Sequence, residues 1–291
     1  MARPATIPQK PAPGLYFIAT PIGAARDITL RALDLLASAD VLAAEDTRSL
    51  RHLMEIHGVA LGQRPLWAYH DHNGAAVRPR ILAALAEGRS VVYASEAGTP
   101  LVADPGFQLG RAAIAAGHPV TAAPGPSAAL AALTVSGLPS DRFLFAGFPP
   151  AAAQARRTWL TELAAIPATL ILYESPNRVG EMLGDCVATF GGERQAAVCR
   201  ELTKRFEETV RGTLGELAER FAGHPVKGEI VVLIDRPGTA KADESEVRAA
   251  LVQALGRMKV KEAAALVADM FGLPKRDIYQ MALGLRGEGE E

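Results

Sequence analysis

Leu15-Tyr16-Phe17-Ile18-Ala19 is a short apolar run that stops at Thr20-Pro21. Five apolar residues ending at a Thr-Pro pair read as a buried strand passing into a loop. Working outward, the pattern repeats. Ile28 to Ala39 places apolar residues at Ile28, Leu30, Leu33, Leu35 and Leu36, the spacing of a helix with one apolar face. Val41-Leu42-Ala43-Ala44 reads as a second strand, stopped by Glu45-Asp46-Thr47-Arg48. Val91-Val92-Tyr93-Ala94-Ser95 stops at Glu96-Ala97-Gly98-Thr99-Pro100, and Val120-Thr121-Ala122-Ala123 stops at Pro124-Gly125-Pro126-Ser127. Strands alternating with helices predict an α/β unit. Each polar or Gly/Pro-rich segment follows a strand's carboxyl end, where ligands bind in open α/β sheets.

A second block begins near Arg142. Strands are expected at 143–146, 169–173, 195–199, 207–210 and 230–234, with helical patterns at 156–165, 178–189 and 214–221. The hairpin-like spacing predicts a mixed sheet. The last ~50 residues read as all-helical, at 247–255, 261–271 and 275–285, with Gly272 and Pro274 stopping the second helix. A helix, a short turn and a helix opening on Lys275-Arg276 form a helix-turn-helix pattern. The expected division is therefore an N-terminal α/β lobe at 14–141, a second α/β lobe at 142–235, a linker at 236–243 and a helical domain at 244–291.

Composition narrows the function classes. The 291 residues carry 31 Lys+Arg against 32 Asp+Glu, a net charge of −1, which argues against a protein coated in basic surface. No apolar run approaches the ~18 residues of a membrane span. Met1 to Pro13 holds four prolines and lacks the apolar stretch of a signal peptide. The only cysteines, Cys186 and Cys199, form no metal-ligand cluster, so a cytoplasmic setting without structural zinc is expected. There is no GxGxxG loop, Walker A sequence, HExxH or GxSxG elbow, and His70-Asp71-His72 is the only close histidine pair. Metal: none is expected.

What remains is a set of strand-end loops. The segment Ser95 to Pro100 has small residues that let backbone approach a flat ligand, or it is simply a pair of turns. Ser127 is a candidate N-cap for the helix 128–135, whose first amides would favour an electron-rich ligand group. Glu45-Asp46-Thr47-Arg48 and Arg200-Glu201-Leu202-Thr203-Lys204-Arg205 are either solvated turns or acid–base equipment.

In order along the chain, these segments carry a resemblance. Ala19-Thr20-Pro21-Ile22-Gly23, Ala44-Glu45-Asp46-Thr47-Arg48, Ala97-Gly98-Thr99-Pro100-Leu101, Asp104-Pro105-Gly106, Pro124-Gly125-Pro126-Ser127-Ala128, Tyr173-Glu174-Ser175-Pro176, Arg200-Glu201-Leu202-Thr203-Lys204 and Lys227-Gly228-Glu229 resemble the tetrapyrrole methylase superfamily, the class III S-adenosylmethionine-dependent methyltransferases. Within it they resemble the branch acting on small-subunit ribosomal RNA. The likeness runs from about Gly14 to Ile234 and continues loosely into the terminal helices. The chain departs from the family pattern at Glu96 (usually Asp), Ala24 (usually Asn) and Asn177 (often His). Glu96 keeps the charge but moves it by about 1.5 Å, one carbon–carbon bond.

The resemblance implies two α/β lobes forming a tetrapyrrole-methylase-like fold, with S-adenosylmethionine held in the cleft between them, and a homodimer. It implies 2′-O-methylation of the ribose of a cytidine, position 1402, in the 16S rRNA of the small ribosomal subunit. Pro21, Thr99, Val102, Ser127, Ala128, Tyr173, Leu202 and Ile230 are the expected donor-binding residues. Glu45, Asp46, Glu201 and Lys204 are the candidates for removing the hydroxyl proton, with Arg48, Arg178 and Arg205 on RNA and Lys204 shared between the two roles. From Arg257 to Arg286 six basic residues face three acidic ones, a local +3 that would add salt-dependent phosphate contacts. Two rivals stand beside this. A porphyrinoid methyltransferase would share fold and donor, but usually shows a GDP-type loop where this chain has Gly98-Thr99-Pro100. A ligand-sensing DNA regulator would use only the terminal helix-turn-helix.

Overall fold

A computed structural model describes residues 9–102, 106–223, 226–237, 244–271 and 273–287, the side chains of 244–246 and 286–287 aside. Asp104-Pro105, linker residues 238–243, Gly272 and the acidic tail at 288–291 lie outside the described residues.

The first lobe alternates strands and helices, with four elements more than expected (α2, β3, α3 and α4): β1 (Gly14–Ile18), α1 (Leu30–Ser38), β2 (Val41–Ala44), α2 (Thr47–Ile56), β3 (Leu66–Ala68), α3 (Gly74–Ala86), β4 (Ser90–Ala94), α4 (Gly106–Ala115) and β5 (Val120–Ala123). The strands form one parallel sheet in the order β3-β2-β4-β1-β5. Its strands are apolar on both sides because both faces are covered. Ile18, Leu42, Val92 and Ala94 pack under α1 and α2, while Leu15, Phe17, Val91 and Tyr93 pack under α3 and α4.

The strand order locates the crevice. From β1 the chain crosses β4 to reach β2, and from β4 it crosses β1 to reach β5. Neighbours β1 and β4 therefore send their connections in opposite directions, which opens a gap at their carboxyl ends.

The second lobe holds β6 (Phe143–Gly147), α6 (Ala153–Leu163), β7 (Thr169–Glu174), α7 (Val179–Phe190), β8 (Gln195–Arg200), β9 (Glu208–Thr213), α8 (Leu214–Phe221) and β10 (Ile230–Ile234). Its sheet runs β6-β7-β10-β8-β9, parallel only at β6–β7, so it is mixed. Helices α6 to α8 cover one face. The other face is covered by a helix from before the expected boundary at 141: Ala129, Ala132 and Leu133 of a helix at Ala128–Ser136 pack on Ile171, Ala197, Cys199, Val231 and Leu233. Ile22, from the loop after β1, joins the same core. This apolar layer ties the lobes together and sets the cleft between them.

That helix, α5 (Ala128–Ser136), is the bridging helix between the lobes. The remaining helices, Glu244–Leu255, Val260–Phe271 and Lys275–Gly287, share a separate small core built on Val247, Leu251, Ala263, Val267, Ile278 and Ala282. No described helix is long and apolar enough to cross a membrane.

Candidate functional site

The two lobes enclose an open cavity of about 490 Å³ at the carboxyl ends of β4 and β7 and the start of β10. Because β10 runs antiparallel to β7, its first residues share that edge. Of the expected donor-binding residues, Thr99, Val102, Ser127, Ala128, Tyr173 and Ile230 line this cavity. Two do not. Pro21 lines a separate cavity of about 220 Å³ with Thr20, Ser49, His52 and Ser95. Leu202 is turned into the apolar layer between the lobes beside Ile22 and Cys199. An apolar residue flanked by charges reads equally as a ligand wall or as an anchor, and here it anchors.

Ser127 occupies the N-cap position in extended conformation, but its side chain makes no capping bond. The amide of Ala129 instead donates to the Tyr173 hydroxyl at 3.1 Å. The first turn of the bridging helix is thus partly satisfied from the second lobe, contrary to the expectation of amides left for a ligand. Burial raises the Tyr173 pKa, so the phenol stays protonated. Its ring meets Phe148 edge-on at 5.5 Å, giving the cavity an aromatic wall that the sequence reading missed. Phe148 follows β6 as an exposed aromatic beside Pro149-Pro150, a combination that marks a loop more readily than a pocket.

The four acid–base candidates part company. Glu45 lines the cavity, and its Oε2 accepts the Glu96 N–H at 3.1 Å. Asp46 is the N-cap of α2, accepting from the amides of Arg48 and Ser49, and the Arg48 guanidinium holds its carboxyl below the usual range. It is a cap. Glu201 accepts the Glu229 N–H and the Lys204 ammonium, each at 3.0 Å, and these bonds lower its pKa. Burial pulls Lys204 down, but its bonds to Glu201 and Glu229 outweigh that and raise it. A lysine held protonated is a poor proton acceptor, and Glu201 is tied within the second lobe, in a segment whose Thr203 latches onto the first lobe.

That latch is built from backbone rarely seen outside glycine. Glu201 and Thr203 have φ of 53° and 63°, in the left-handed region that costs an ordinary residue free energy. They bring Thr203 Oγ1 within 3.1 Å of the Ala24 N–H. The bond uses Ala24's backbone, so the departure from the family at this position leaves it standing. Gly23 is required here, since a Cβ would lie 2.6 Å from Thr203 Oγ1 and 3.0 Å from the Leu202 carbonyl.

Of the expected RNA contacts, Arg48 is exposed beside Asp46, and Arg205 is exposed with its guanidinium 5.4 Å from the Phe206 ring centroid. Arg178 is not: it binds the buried Glu174 at 2.6 Å and the Ser175 hydroxyl at 3.2 Å. It fixes the strand-end segment that lines the cavity. Asn177 lies off the main cavity, in a cleft near Phe221. The rings of His70 and His72 are 6.0 Å apart, and among the described residues no three metal-ligating side chains gather.

Two α/β lobes around a crevice at the switch point of a parallel sheet define the methylase class to which residues 14–218 match, the Tetrapyrrole (Corrin/Porphyrin) Methylases. Residues 241–286 match the RsmI C-terminal HTH domain. The chain is 50% identical to ribosomal RNA small subunit methyltransferase I of Mesorhizobium japonicum, over 98% of this chain and 97% of that one. To the protein of the same name from Xylella fastidiosa it is 44% identical, over 91% and 97%. In fold it is similar to uroporphyrin-III C-methyl transferase from Thermus thermophilus complexed with S-adenyl homocysteine, with a TM-score of 0.52, 21% identity, and 76% and 96% of the two chains covered. The chain belongs to the tetrapyrrole methylase family, in its group of ribosomal RNA small subunit methyltransferase I proteins.

Proposed function

We propose that this enzyme transfers a methyl group from S-adenosylmethionine to the 16S rRNA of the small ribosomal subunit, at the ribose 2′-oxygen of a cytidine. The observation that carries the reading is the near-full-length likeness to the Mesorhizobium protein, terminal helical domain included. The crevice suits the donor. At about 490 Å³ it falls within the ~300–1,000 Å³ of small-molecule sites. Its rim bears Glu45, Glu96 and Glu229, a setting for a ligand with a sulfonium and an ammonium. Gly98, at φ 79°, brings bare backbone to the wall, where a Cβ would crowd Ile22 at 3.3 Å.

The donor supplies an already activated methyl, and the chain's part is to bind, align and deprotonate. Thr99, Val102, Ser127, Ala128, Tyr173 and Ile230 hold the donor in this reading, and Glu45 braces the loop that carries Glu96. Alignment of this kind accounts for much of a rate enhancement. Arg48, Arg205 and the terminal helices meet phosphates. The working form is a cytoplasmic homodimer, with lobes divided near residue 141 and the helical domain beyond 243.

The test is to incubate the protein with labelled S-adenosylmethionine and small subunits from a strain lacking the enzyme, then map the label. Label on one cytidine 2′-oxygen supports the reading. Donor binding without RNA labelling overturns it and points to a porphyrinoid acceptor.

A further inference from the structure

The turn Ser95–Gly98 has a cavity on either side. Thr20 and Ser95 border the smaller one, Ala97 and Gly98 the larger, and Glu96 borders both. This partition is braced from three directions. Thr20 and Gly98 exchange backbone bonds of 2.9 and 3.0 Å, linking the ends of β1 and β4. The Ser95 hydroxyl donates to the Gly98 carbonyl at 2.8 Å, and the Glu96 amide is held by Glu45.

We propose that the 220 Å³ cavity is the acceptor subsite, taking one ribonucleotide of an RNA strand, and that Glu96 is the base that receives the proton of its hydroxyl. The inference rests on the methyl-transfer reading above and adds the place and the base. In-line displacement needs donor and acceptor on opposite sides of the methyl carbon. Glu96 is the residue that lines both cavities, so the acceptor oxygen would reach the methyl past its exposed side chain rather than through the turn. The smaller cavity is below the ~300–1,000 Å³ of drug-sized sites, which suits one sugar or base with the rest of the strand outside. Arg48 and Arg51 stand exposed on α2, the helix that walls it through Ser49 and His52, and Arg26 is exposed beside its lining residue Ala25. The cleft's own lining is mixed, with Leu50, Leu53 and Ile56 beside Thr20, Ser49 and Ser95, and the cations around it are placed for the flanking phosphates. As the oxygen–methyl bond forms, the methyl–sulfur bond breaks with its electron pair left on sulfur. The hydroxyl proton passes to the Glu96 carboxylate, which is exposed and returns it to water.

Two sets of variants test this, each with S-adenosylhomocysteine affinity and small-subunit methylation measured. Ser49→Trp and His52→Trp obstruct only the smaller cavity. They should raise KM for the subunit about tenfold or more and leave S-adenosylhomocysteine affinity within about twofold. Glu96→Gln should lower kcat by about 10²–10⁴, the range of a lost general base, whereas Glu96→Asp, which keeps a carboxylate, should retain part of that rate. Wild-type KM in both tryptophan variants overturns the subsite. An unchanged kcat in Glu96→Gln, or an effect confined to S-adenosylhomocysteine affinity, overturns the base. Wild-type protein that labels no subunit RNA defeats the methyl-transfer reading itself, a result separable from either.

Discussion

Asp46 shows how a residue that reads as catalytic turns out to hold a helix. Its carboxylate takes two amides of α2 and the Arg48 side chain, and its pKa is lowered chiefly by that arginine. A carboxylate with a depressed folded pKa stabilises fully above its unfolded pKa of ~3.9 and loses that contribution as pH falls through the folded value. Asp46→Asn keeps a capping oxygen but loses the charge. Its Tm should therefore lie below wild type at neutral pH, and the gap should close below about pH 4; thermal melts across that range measure it. Asp46→Ala loses the cap as well and should melt lower still at every pH. Glu45, one residue earlier, faces the cavity, yet both read alike from sequence because strand-end acids differ only in where the chain turns next.

At the scale of elements, nearly all second-lobe and terminal elements were legible, since apolar runs of five or six residues and helical spacing left little ambiguity. Both α/β lobes and the mixed sheet follow those patterns. Helices α2, α3 and α4 and strand β3 were not read. Strand β3 is three half-buried residues, and α3 carries Pro79 inside it, which masks a helical pattern. The site was legible as loops but not as contacts: Thr99, Ser127 and Tyr173 come from three separate segments, while Pro21 and Leu202 sit in matching motifs that face elsewhere. The bond from the Ala129 amide to Tyr173 couples the bridging helix to β7 across the lobes. Tyr173→Phe should cost about 0.5–1.5 kcal/mol. It should also weaken S-adenosylhomocysteine binding, because Ala128 and Ser127 lose their anchor. Denaturant melts and calorimetric titration read the two effects separately.

At the scale of the whole molecule, among the described residues none that lines the larger cavity lies beyond Val231, and the terminal helices have their own core. A chain ended at Pro237 should keep S-adenosylhomocysteine affinity while losing affinity for small-subunit RNA. The slope of log affinity against log salt should also flatten, as expected when cationic contacts are removed; filter binding at several salt concentrations gives both numbers. The two buried cysteines have a further use. Cys186 lies in the helix-covered core of the second lobe, its thiol pushed up to about 12 mainly by burial, and Cys199 lies under the bridging helix. Only a thiolate attacks a maleimide, so both are inert while the protein is intact. Partial loosening that lifts the bridging helix should label Cys199 first, and collapse of the second core should label both together. Mass spectrometry of timed aliquots would then make these two native sulfurs a pair of clocks, reporting separately on parting of the lobes and on their melting.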